Sequence, residues 1–303
     1  MHYLVTGGAG FIGSHIVEAL LNRGDKVRVL DNFATSKRGN VPPGAEMVEA
    51  SITDSNAIAS AFKDIDGVFH AAALPRVQES IEKPLESNEI NIGGTLNVCI
   101  AARDASVRRM VFSSSSSIYG DTEIFPTPEN TLPNPKSPYA LQKYVGEEYL
   151  KLTARIWKVQ TVSLRYFNIY GPRMPLEGAY KLVIPVFLEQ QAKGEPLTIT
   201  GDGTQTRDFT YIDDVVRANL IAMASPRVGQ GEVINIGTGK NYSINKVAEF
   251  ISGPTKHIAP RIEPHDTLAD ISRAKELLEW EPQVPFAEGL KRTREWFAGM
   301  KNA

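Results

Sequence analysis

The feature that most constrains the fold is a glycine-rich run, T-G-G-A-G-F-I-G, at residues 6–13. It follows a short apolar run at residues 3–5 and opens a segment, residues 11–23, in which apolar residues recur at helical spacing. Its glycines satisfy both G-x-G-x-x-G and G-x-x-G-x-x-G. Glycines at such a strand-to-helix turn let the backbone approach a pyrophosphate at the helix N-terminus. The run therefore predicts a dinucleotide-binding βα unit.

A carboxylate stands where this motif requires one. Asp31 ends the second apolar run, Val27–Leu30, about 20 residues beyond the glycines. A carboxylate there accepts hydrogen bonds from the adenine-ribose hydroxyls and repels a 2′-phosphate, so the sequence favours NAD over NADP. Lys37 and Arg38 follow in the same segment, either as solvated loop charges or as cations near the cofactor.

The rest of the chain continues the alternation of strands and helices, which predicts an α/β fold with a doubly wound, Rossmann-type parallel sheet. We expect a strand at residues 67–69 and at 110–112, helices at 85–103 and 137–157, and a strand at 160–164. Gly- and Pro-rich stretches then interrupt the pattern. They predict a smaller, interleaved substrate lobe of residues 171–209 plus 241–303. Residues 1–170 plus about 210–240 would form the NAD-binding domain.

The overall composition excludes several classes of protein. The 303 residues carry a net charge of −2, which gives no field to gather nucleic acid, and no run of 18 apolar residues predicts a membrane span. Cys99 is the only cysteine, so a reducing, cytoplasmic location is the simplest expectation. The five histidines show no paired ligand spacing, so we expect no metal.

A candidate catalytic pair lies in S-P-Y-A-L-Q-K, residues 137–143. Ser137 suits a helix N-cap and Pro138 the first helical position, which places Tyr139 and Lys143 on one helical face. An ammonium and a positive nicotinamide ring would both favour the phenolate, which makes Tyr139 a candidate general base. An isolated Y-x-x-x-K is more often a surface pair. Here, however, a run of five serines, residues 113–117, ends a neighbouring apolar strand.

These motifs, with S-S-S-S-S-I-Y-G at residues 113–120 and L-R-Y-F-N-I-Y-G-P-R at 164–173, resemble the UDP-galactose 4-epimerase group of extended short-chain dehydrogenases along essentially the whole chain. The resemblance implies that Tyr139 is the base, that Lys143 lowers its pKa and holds the nicotinamide ribose, and that Ser115 bonds the sugar O4. It also implies a tightly bound, recycled NAD. In that mechanism C4 of a UDP-sugar loses a hydride and regains it on the other face.

The resemblance also assigns the binding residues. On the cofactor side these are Gly7, Gly10, Phe11, Ile12, Gly13, Asp31, Asn32, Ser51, Ile52, Ala71, Ala73, Asn91, Tyr139, Lys143 and Tyr166. On the substrate side they are Ser115, Asn168, Ile184, Ile199, Arg207, Arg261 and Thr267. The chain departs from the family pattern at Ser51, where an aspartate is common, and after Arg261, where the segment is one residue shorter.

The alternatives concern the substrate. Ser116 and Ser117 stand where related dehydratases and decarboxylases carry carboxylates, so elimination of water or CO2 lacks its proton carrier. A UDP-glucuronate 4-epimerase remains the alternative, with Lys181 as the available cation for the uronate. The small Thr267 suggests that UDP-N-acetylhexosamines are also accepted. A non-catalytic NAD-binding regulatory protein is disfavoured because the Tyr139–Lys143 pair is present. The resemblance suggests a homodimer packed through the helices at 85–103 and 139–157.

Overall fold

In the computed structural model, residues 1–176, 182–260 and 264–301 are described. Within these ranges the strands are β1 (His2–Thr6), β2 (Lys26–Asp31), β3 (Glu46–Glu49), β4 (Gly67–His70), β5 (Arg109–Ser115), β6 (Gln160–Tyr166), β7 (Ile169–Tyr170), β8 (Leu197–Thr200), β9 (Thr206–Arg207), β10 (Thr210–Tyr211), β11 (Gln230–Ile236), β12 (Tyr242–Ser243) and β13 (Thr255–Ile258). The helices are α1 (Phe11–Asn22), α2 (Ser55–Ala59), α3 (Val77–Glu82), α4 (Pro84–Asn88), α5 (Thr95–Asp104), α6 (Pro138–Trp157), α7 (Val183–Lys193), α8 (Ile212–Ala224), α9 (Ile244–Ile251), α10 (Ser272–Leu278) and α11 (Phe286–Lys301).

Seven of the strands form one parallel sheet in the order β11-β6-β5-β4-β1-β2-β3. Successive residues of its strands enter two hydrophobic cores: Val5 packs with α1 and α8 on one face, and Leu4 packs with α2 and α5 on the other. The strand order reverses between β1 and β4, which creates the crevice where open α/β sheets bind ligands. The predicted Rossmann-type, doubly wound sheet is confirmed.

Local sequence signals set one end each of α1 and α6. Gly24 follows α1 with φ +79°, a left-handed conformation that glycine adopts without a Cβ penalty. At the start of α6, the Ser137 hydroxyl accepts a hydrogen bond from the Ala140 amide at 3.2 Å, and Pro138 occupies the first helical position. Both features agree with the sequence prediction.

Two segments differ from the prediction. The single helix expected at residues 85–103 is a composite in which a π-helical turn, Glu89–Gly94, separates α4 from α5. The segment expected to be irregular, residues 256–280, contains most of β13 and all of α10. Strand β13 is largely exposed and pairs with β8, so it lacks the alternating apolar pattern that predicts strands.

Short strand pairs and helices extend the structure beyond the carboxyl ends of β6 and β11. The pairs are β7–β10, β8–β13 and β9–β12, and the helices include α7 and α9. Their buried side chains, such as Phe187 and Ile199, belong to the same core as Val5 of the sheet. The division into two interleaved lobes stays a prediction. Among the described residues, no helix has the length and apolar character to cross a bilayer.

Candidate active site

The glycine-rich turn between β1 and α1 is shaped for a close backbone approach. Gly7 has φ +68°, and a Cβ atom there would lie 2.7 Å from the Ala72 amide nitrogen. A Cβ atom at Gly13 would lie 2.1 Å from the Gly7 carbonyl oxygen. Gly10 precedes the helix without a side-chain cap, so the first-turn amides of Phe11 and its neighbours are left for an external anion. The turn fits the pyrophosphate of a dinucleotide.

The Asp31 carboxylate is fixed at the carboxyl end of β2. It accepts hydrogen bonds from the amides of Ala9 at 2.9 Å and Phe33 at 2.8 Å, and from the Ser36 hydroxyl at 2.8 Å. The bond from Ala9 ties the carboxylate to the glycine-rich turn. Each carboxylate oxygen has more than one lone pair, so Asp31 keeps acceptor capacity for a ribose hydroxyl.

The side of the crevice predicted for adenine contains a cation with a protein partner. Arg38 forms an ion pair with Glu49 and lies 4.2 Å above the Phe33 ring. Asn32 is exposed, and Ser51 places its hydroxyl 2.8 Å from the Thr53 hydroxyl. The buried Ile52 lies next to Ser51 and packs against Gly94. The contact of Arg38 with Glu49 favours its interpretation as a loop charge.

The loop after β4 carries Ala71 and Ala73 and is braced by Asn91. The amide of Asn91 accepts a hydrogen bond from the Leu74 amide at 2.7 Å and donates to the Leu74 carbonyl at 3.1 Å and to Gln142 Oε1 at 2.8 Å. Asn91 is therefore committed to protein contacts that connect this loop with α6. Its predicted contact with the cofactor stays a prediction.

A buried histidine that sequence reasoning did not find lies beneath the crevice. His70 Nδ1 lies 2.7 Å from Thr6 Oγ1, and Nε2 lies 3.0 Å from Thr95 Oγ1, which itself donates to the Asn91 carbonyl at 2.7 Å. Because the hydroxyl proton of Thr95 is donated to Asn91, Thr95 Oγ1 can only accept from the ring. Nε2 of His70 is therefore the donor to Thr95, and Nδ1 accepts from Thr6. Burial, followed by the charge of Lys143, lowers the pKa of His70 to about 3. The ring is neutral and links β1 with α5.

The predicted catalytic residues converge at the carboxyl end of β5. The Tyr139 phenol is hydrogen-bonded with the Ser115 hydroxyl. Lys143 lies one helical turn after Tyr139, and its Nζ donates to the Ser113 carbonyl at 2.7 Å and lies 5.9 Å from the centre of the Tyr139 ring. Ser115 Oγ also accepts a hydrogen bond from the Ser117 amide at 3.2 Å. The phenol, the ammonium and the serine hydroxyl therefore form one cluster.

The electrostatics of this cluster are dominated by burial. Burial raises the pKa of Tyr139 to about 12, and the hydrogen bond with Ser115 acts against that rise. Burial also lowers the pKa of Lys143 to about 7, while the charge of Glu147 opposes this effect. Without a cofactor the phenol is therefore neutral at physiological pH. A cation in contact with the cluster, such as an oxidised nicotinamide ring, is the change that favours the phenolate.

A second buried cluster, also missed from the sequence, holds α6 against the sheet. Arg165 donates to both oxygens of Glu147, at 2.8 and 2.7 Å, and the Ser114 hydroxyl donates to the same carboxylate at 2.5 Å. The two charged side chains are 3% and 0% exposed. Their positions in otherwise ordinary helix and strand patterns gave no sequence signal. The pair fixes α6, and with it Tyr139 and Lys143, relative to β5 and β6.

Tyr166, predicted to contact the cofactor, ends β6 beside Ser115. Its hydroxyl lies 2.9 Å from Asn219 Nδ2 and 3.3 Å from Ser113 Oγ. The side chain is buried, which raises the pKa of its phenol to about 12. In this arrangement Tyr166 supports the strand that carries Ser113 and Ser115.

A cavity of about 290 Å³ lies beyond the carboxyl end of β6. Three of the predicted substrate residues, Asn168, Ile184 and Arg207, line it. Ile199 is buried in β8, and Thr267 accepts a hydrogen bond from the Asn168 amide at 3.1 Å. The other lining side chains include Phe187, Phe209, Ile244 and Ile258. Arg261 and Lys181 lie outside the described residues.

The cavity combines an apolar wall with few polar groups. Arg207 of β9 donates to the carbonyls of Thr206 at 2.8 Å and His265 at 2.9 Å, and its side chain is partly exposed. Such a site suits a planar base with an anionic extension, since a guanidinium binds phosphate oxygens well. Among the described residues, no group of three or more His, Cys, Asp or Glu side chains is arranged to hold a metal ion.

Comparison with known proteins identifies the family. A model of the NAD dependent epimerase/dehydratase family matches residues 3–237. The solved UDP-glucose 4-epimerase of Thermotoga maritima with UDP-glucose is 39% identical, with 99% of this chain and 100% of that chain covered and a TM-score of 0.94. UDP-N-acetylglucosamine 4-epimerase from Methanobrevibacter ruminantium, in complex with UDP-N-acetylmuramic acid, is 36% identical over 99% and 98% of the two chains, with a TM-score of 0.94.

A third structure, UDP-glucuronic acid 4-epimerase from Bacillus cereus in complex with UDP-glucuronic acid and NAD, is 34% identical over 99% of this chain and 100% of that chain, with a TM-score of 0.91. The three relatives share the fold but differ in the UDP-sugars that their names specify. The resemblance seen in the sequence motifs is confirmed. The chain belongs to the NAD-dependent epimerase/dehydratase family, and its cofactor is NAD.

Proposed function

We propose that this protein is an NAD-dependent 4-epimerase of UDP-hexoses that interconverts UDP-glucose and UDP-galactose through a transient 4-keto sugar. The observation that carries the proposal is the cluster of Tyr139, Ser115 and Lys143 at the carboxyl end of β5. It lies between a glycine-rich dinucleotide turn and a cavity that suits a nucleotide base. The named epimerase relatives support the same activity.

Each member of the cluster has a distinct role in the proposal. Tyr139 removes the proton from the sugar O4 and later returns it. Ser115, already hydrogen-bonded with the phenol, orients O4 between the two hydroxyls. Lys143 stabilises the phenolate by its charge and holds the nicotinamide ribose. NAD held beside the sugar would supply the acceptor for the C4 hydride and its return to the opposite face of C4, so the configuration would invert without net oxidation.

The remaining predicted residues bind the two ligands. For NAD, we assign the pyrophosphate to Gly7, Gly10, Phe11, Ile12 and Gly13, the adenosine to Asp31, Asn32, Ser51 and Ile52, and the nicotinamide side to Ala71, Ala73, Asn91 and Tyr166. For the substrate, we assign the uracil to Ile184 and Ile199, the diphosphate to Asn168, Arg207 and Arg261, and the sugar to Ser115 and Thr267. The division into an NAD-binding domain and a substrate lobe follows this assignment.

Elimination chemistry is disfavoured by the side chains in and around the segment after β5. The segment after β5 offers the hydroxyls of Ser116 and Ser117 at the positions where a dehydratase needs an acid or base. Glu147 approaches this segment through Ser114, but it is fully buried and bound to Arg165 through both of its oxygens. It is therefore not free to carry a proton to a substrate.

Two substrate alternatives remain. The Bacillus cereus relative supports a UDP-glucuronate 4-epimerase, the alternative predicted from the sequence. The Methanobrevibacter ruminantium relative supports N-acetylated sugars, and Thr267 is small and directed toward Asn168. Both alternatives use the same Tyr139 cluster and differ only in the groups around the sugar.

We further propose that the protein is a cytoplasmic homodimer. Large apolar side chains are exposed on adjoining helices: Ile81 of α3, Leu85 of α4, and Leu141 and Ile156 of α6. Helices α3 and α4 both contact α6, so the three helices that expose these side chains adjoin one another. An exposed apolar surface of this kind is typical of a subunit interface. The cytoplasmic location rests on the single, buried Cys99.

The test uses proton NMR of the purified protein without added NAD, with UDP-galactose, UDP-GalNAc and UDP-glucuronate in separate samples. We expect UDP-galactose to be converted to UDP-glucose and Tyr139→Phe to lose this activity. Tyr149→Phe, on the same helix but outside the site, is the matched control and should retain it. Conversion of UDP-glucuronate alone would favour the uronate alternative. Absence of conversion of all three sugars, even with NAD added, would refute the proposal and favour a regulatory protein.

A further inference from the structure

We propose that Asp208 is a positioning residue for the sugar and diphosphate end of the substrate, acting through Asn168 and Thr267. The inference rests on the proposed function. Asp208 lies between β9 and β10 and is fully buried. Its hydrogen bonds reach the turn after β11, the segment that carries Thr267, and Asn168 after β6.

The Asp208 carboxylate joins two chain segments that are distant in sequence. Oδ1 accepts hydrogen bonds from the Thr238 amide at 2.7 Å and the Thr238 hydroxyl at 2.6 Å. Oδ2 accepts from the amides of Gly239 and Ala269, each at 3.1 Å. The carboxylate therefore ties the turn after β11 to the segment that carries Thr267.

The main chain of the same residue holds the two predicted substrate residues. The Asp208 amide donates to Thr267 Oγ1 at 3.2 Å, and its carbonyl accepts from Asn168 Nδ2 at 2.9 Å. Asn168 Nδ2 also donates to Thr267 Oγ1 at 3.1 Å, which closes a ring of three residues. Asn168 adopts φ +32°, an uncommon conformation that its side-chain bonds help to maintain. The orientations of both side chains therefore depend on Asp208.

The surroundings leave little room for a rearrangement. A Cβ atom at Gly237 would lie 2.8 Å from Asp208 Oδ2 and 2.4 Å from Ala269 Cβ. The strand end at Gly237 thus lies directly against the carboxylate and against the segment that it holds. If the Asp208 carboxylate moves, Gly237 and Ala269 must move with it, because close packing leaves no free space around them.

The charge of Asp208 makes this arrangement sensitive to pH. Burial raises its pKa to about 6, and the hydrogen bonds from Thr238, Ala269 and Gly239 oppose that rise. Other ionisable side chains on the elements around it are Arg207, Lys240, His265, Asp266 and Asp270. Protonation below about pH 6 removes the negative charge from the acceptor of these four hydrogen bonds and so weakens them. The segment carrying Thr267 then loses part of its support.

The first test is the isosteric variant Asp208→Asn, with KM and kcat for UDP-galactose measured between about pH 5 and pH 8 and the bound NAD quantified. Its amide NH2 opposes N–H donors, so we expect KM to rise by about tenfold to a hundredfold at neutral pH. We expect kcat and bound NAD to stay near the wild-type values, because Tyr139, Lys143 and the glycine-rich turn lie on other elements. The KM of the wild type should rise as pH falls below about 6, whereas that of Asp208→Asn should be flat.

Two further variants separate positioning from a general structural role. Thr238→Val removes one donor to the carboxylate, which should raise the pKa of Asp208. As pH is lowered, the KM of this variant should therefore begin to rise at a higher pH than that of the wild type. His265→Gln removes the imidazole next to Asp266 and should leave the wild-type pH dependence unchanged. The proposal would be overturned if Asp208→Asn lowered kcat and bound NAD by as large a factor as it raised KM. It would also be overturned if Thr238→Val had the same pH dependence of KM as the wild type. If Asp208→Asn does not fold, Thr238→Val decides alone.

The affinity for UDP-glucose, measured by calorimetry, separates this proposal from the proposed function. If the wild type binds UDP-glucose but converts no UDP-sugar, the proposed function fails, while weaker and pH-independent binding by Asp208→Asn would still support the role of Asp208. If the wild type converts UDP-galactose and Asp208→Asn binds and converts it normally, only the role of Asp208 is refuted.

Discussion

Replacing Glu147 with glutamine tests whether the buried ion pair with Arg165 holds the catalytic helix in place. The change preserves shape but leaves the Arg165 guanidinium buried, with an amide NH2 facing one of its two donor groups. Removing one partner of a buried pair costs about 3–5 kcal/mol, which is a large part of the 5–15 kcal/mol that stabilises a typical protein. We therefore expect Glu147→Gln to lower the free energy of unfolding by about 3 kcal/mol.

The assay is urea unfolding followed by tryptophan fluorescence, with saturating NAD in every sample. Glu148→Gln is the matched control, because Glu148 is the next residue of α6 and pairs with Lys151 at the surface. An exposed pair contributes little, so this control should unfold near the wild-type urea concentration. Arg165→Met added to Glu147→Gln should cost less than the sum of the two single changes, since each removes a charge that the other leaves unpaired.

Two results would refute this reasoning. If Glu147→Gln and Glu148→Gln lower the unfolding midpoint equally, the buried pair has no special importance. If the effects of Glu147→Gln and Arg165→Met are additive, the two side chains are not energetically coupled. The variant also has a functional consequence: without the Glu147 charge, the pKa of Lys143 falls further below its ordinary value, so the decline of activity with rising pH should begin at a lower pH.

Three other variants test the cofactor turn and the buried polar groups. Gly13→Ala places a Cβ atom against the Gly7 carbonyl and should abolish NAD retention, measured as NAD released on acid denaturation, whereas the unobstructed Gly39→Ala should retain it. The pKa of His70 is depressed to about 3, so its neutral ring contributes stability above pH 6.5 that is lost as pH falls toward 3. Between pH 7 and pH 5 the wild type should therefore lose about 2 kcal/mol more unfolding free energy than His70→Gln, and equal losses would contradict a neutral, buried imidazole. Arg109→Met leaves buried carbonyls at the end of α8 without a donor and should cost about 1–3 kcal/mol; an unchanged melting temperature would contradict this.

The parts of the fold that could be predicted are those with strong local patterns. Strands of the central sheet are buried on both faces, so they appear as apolar runs, and the glycine-rich turn and Ser137-Pro138 mark helix starts directly. The π-helical turn at Glu89–Gly94 could not be predicted, because it preserves helical spacing on either side. Strand β13 was missed because its side chains are exposed and have no apolar alternation.

The same contrast applies to the site. Tyr139, Lys143 and Ser115 could be predicted as a candidate cluster because they lie in short motifs at fixed spacing, and the structure brings the three side chains together. His70, Glu147 and Arg165 were missed because their importance comes from partners distant in sequence, which no local pattern reveals. Asp208 is the clearest case, since six of its hydrogen bonds reach residues between 30 and 61 positions away.

The most direct test of the central claim follows a deuterium label at C4 of UDP-galactose. The purified protein, with its bound NAD and no added cofactor, is incubated with UDP-[4-²H]galactose in ordinary water, and the product is analysed by NMR. If the same hydride leaves and returns within one site, the UDP-glucose formed should retain deuterium at C4. Loss of the label with protium from the solvent at C4 would contradict the account, because it would mean that C4 is inverted by proton exchange and not by a recycled hydride.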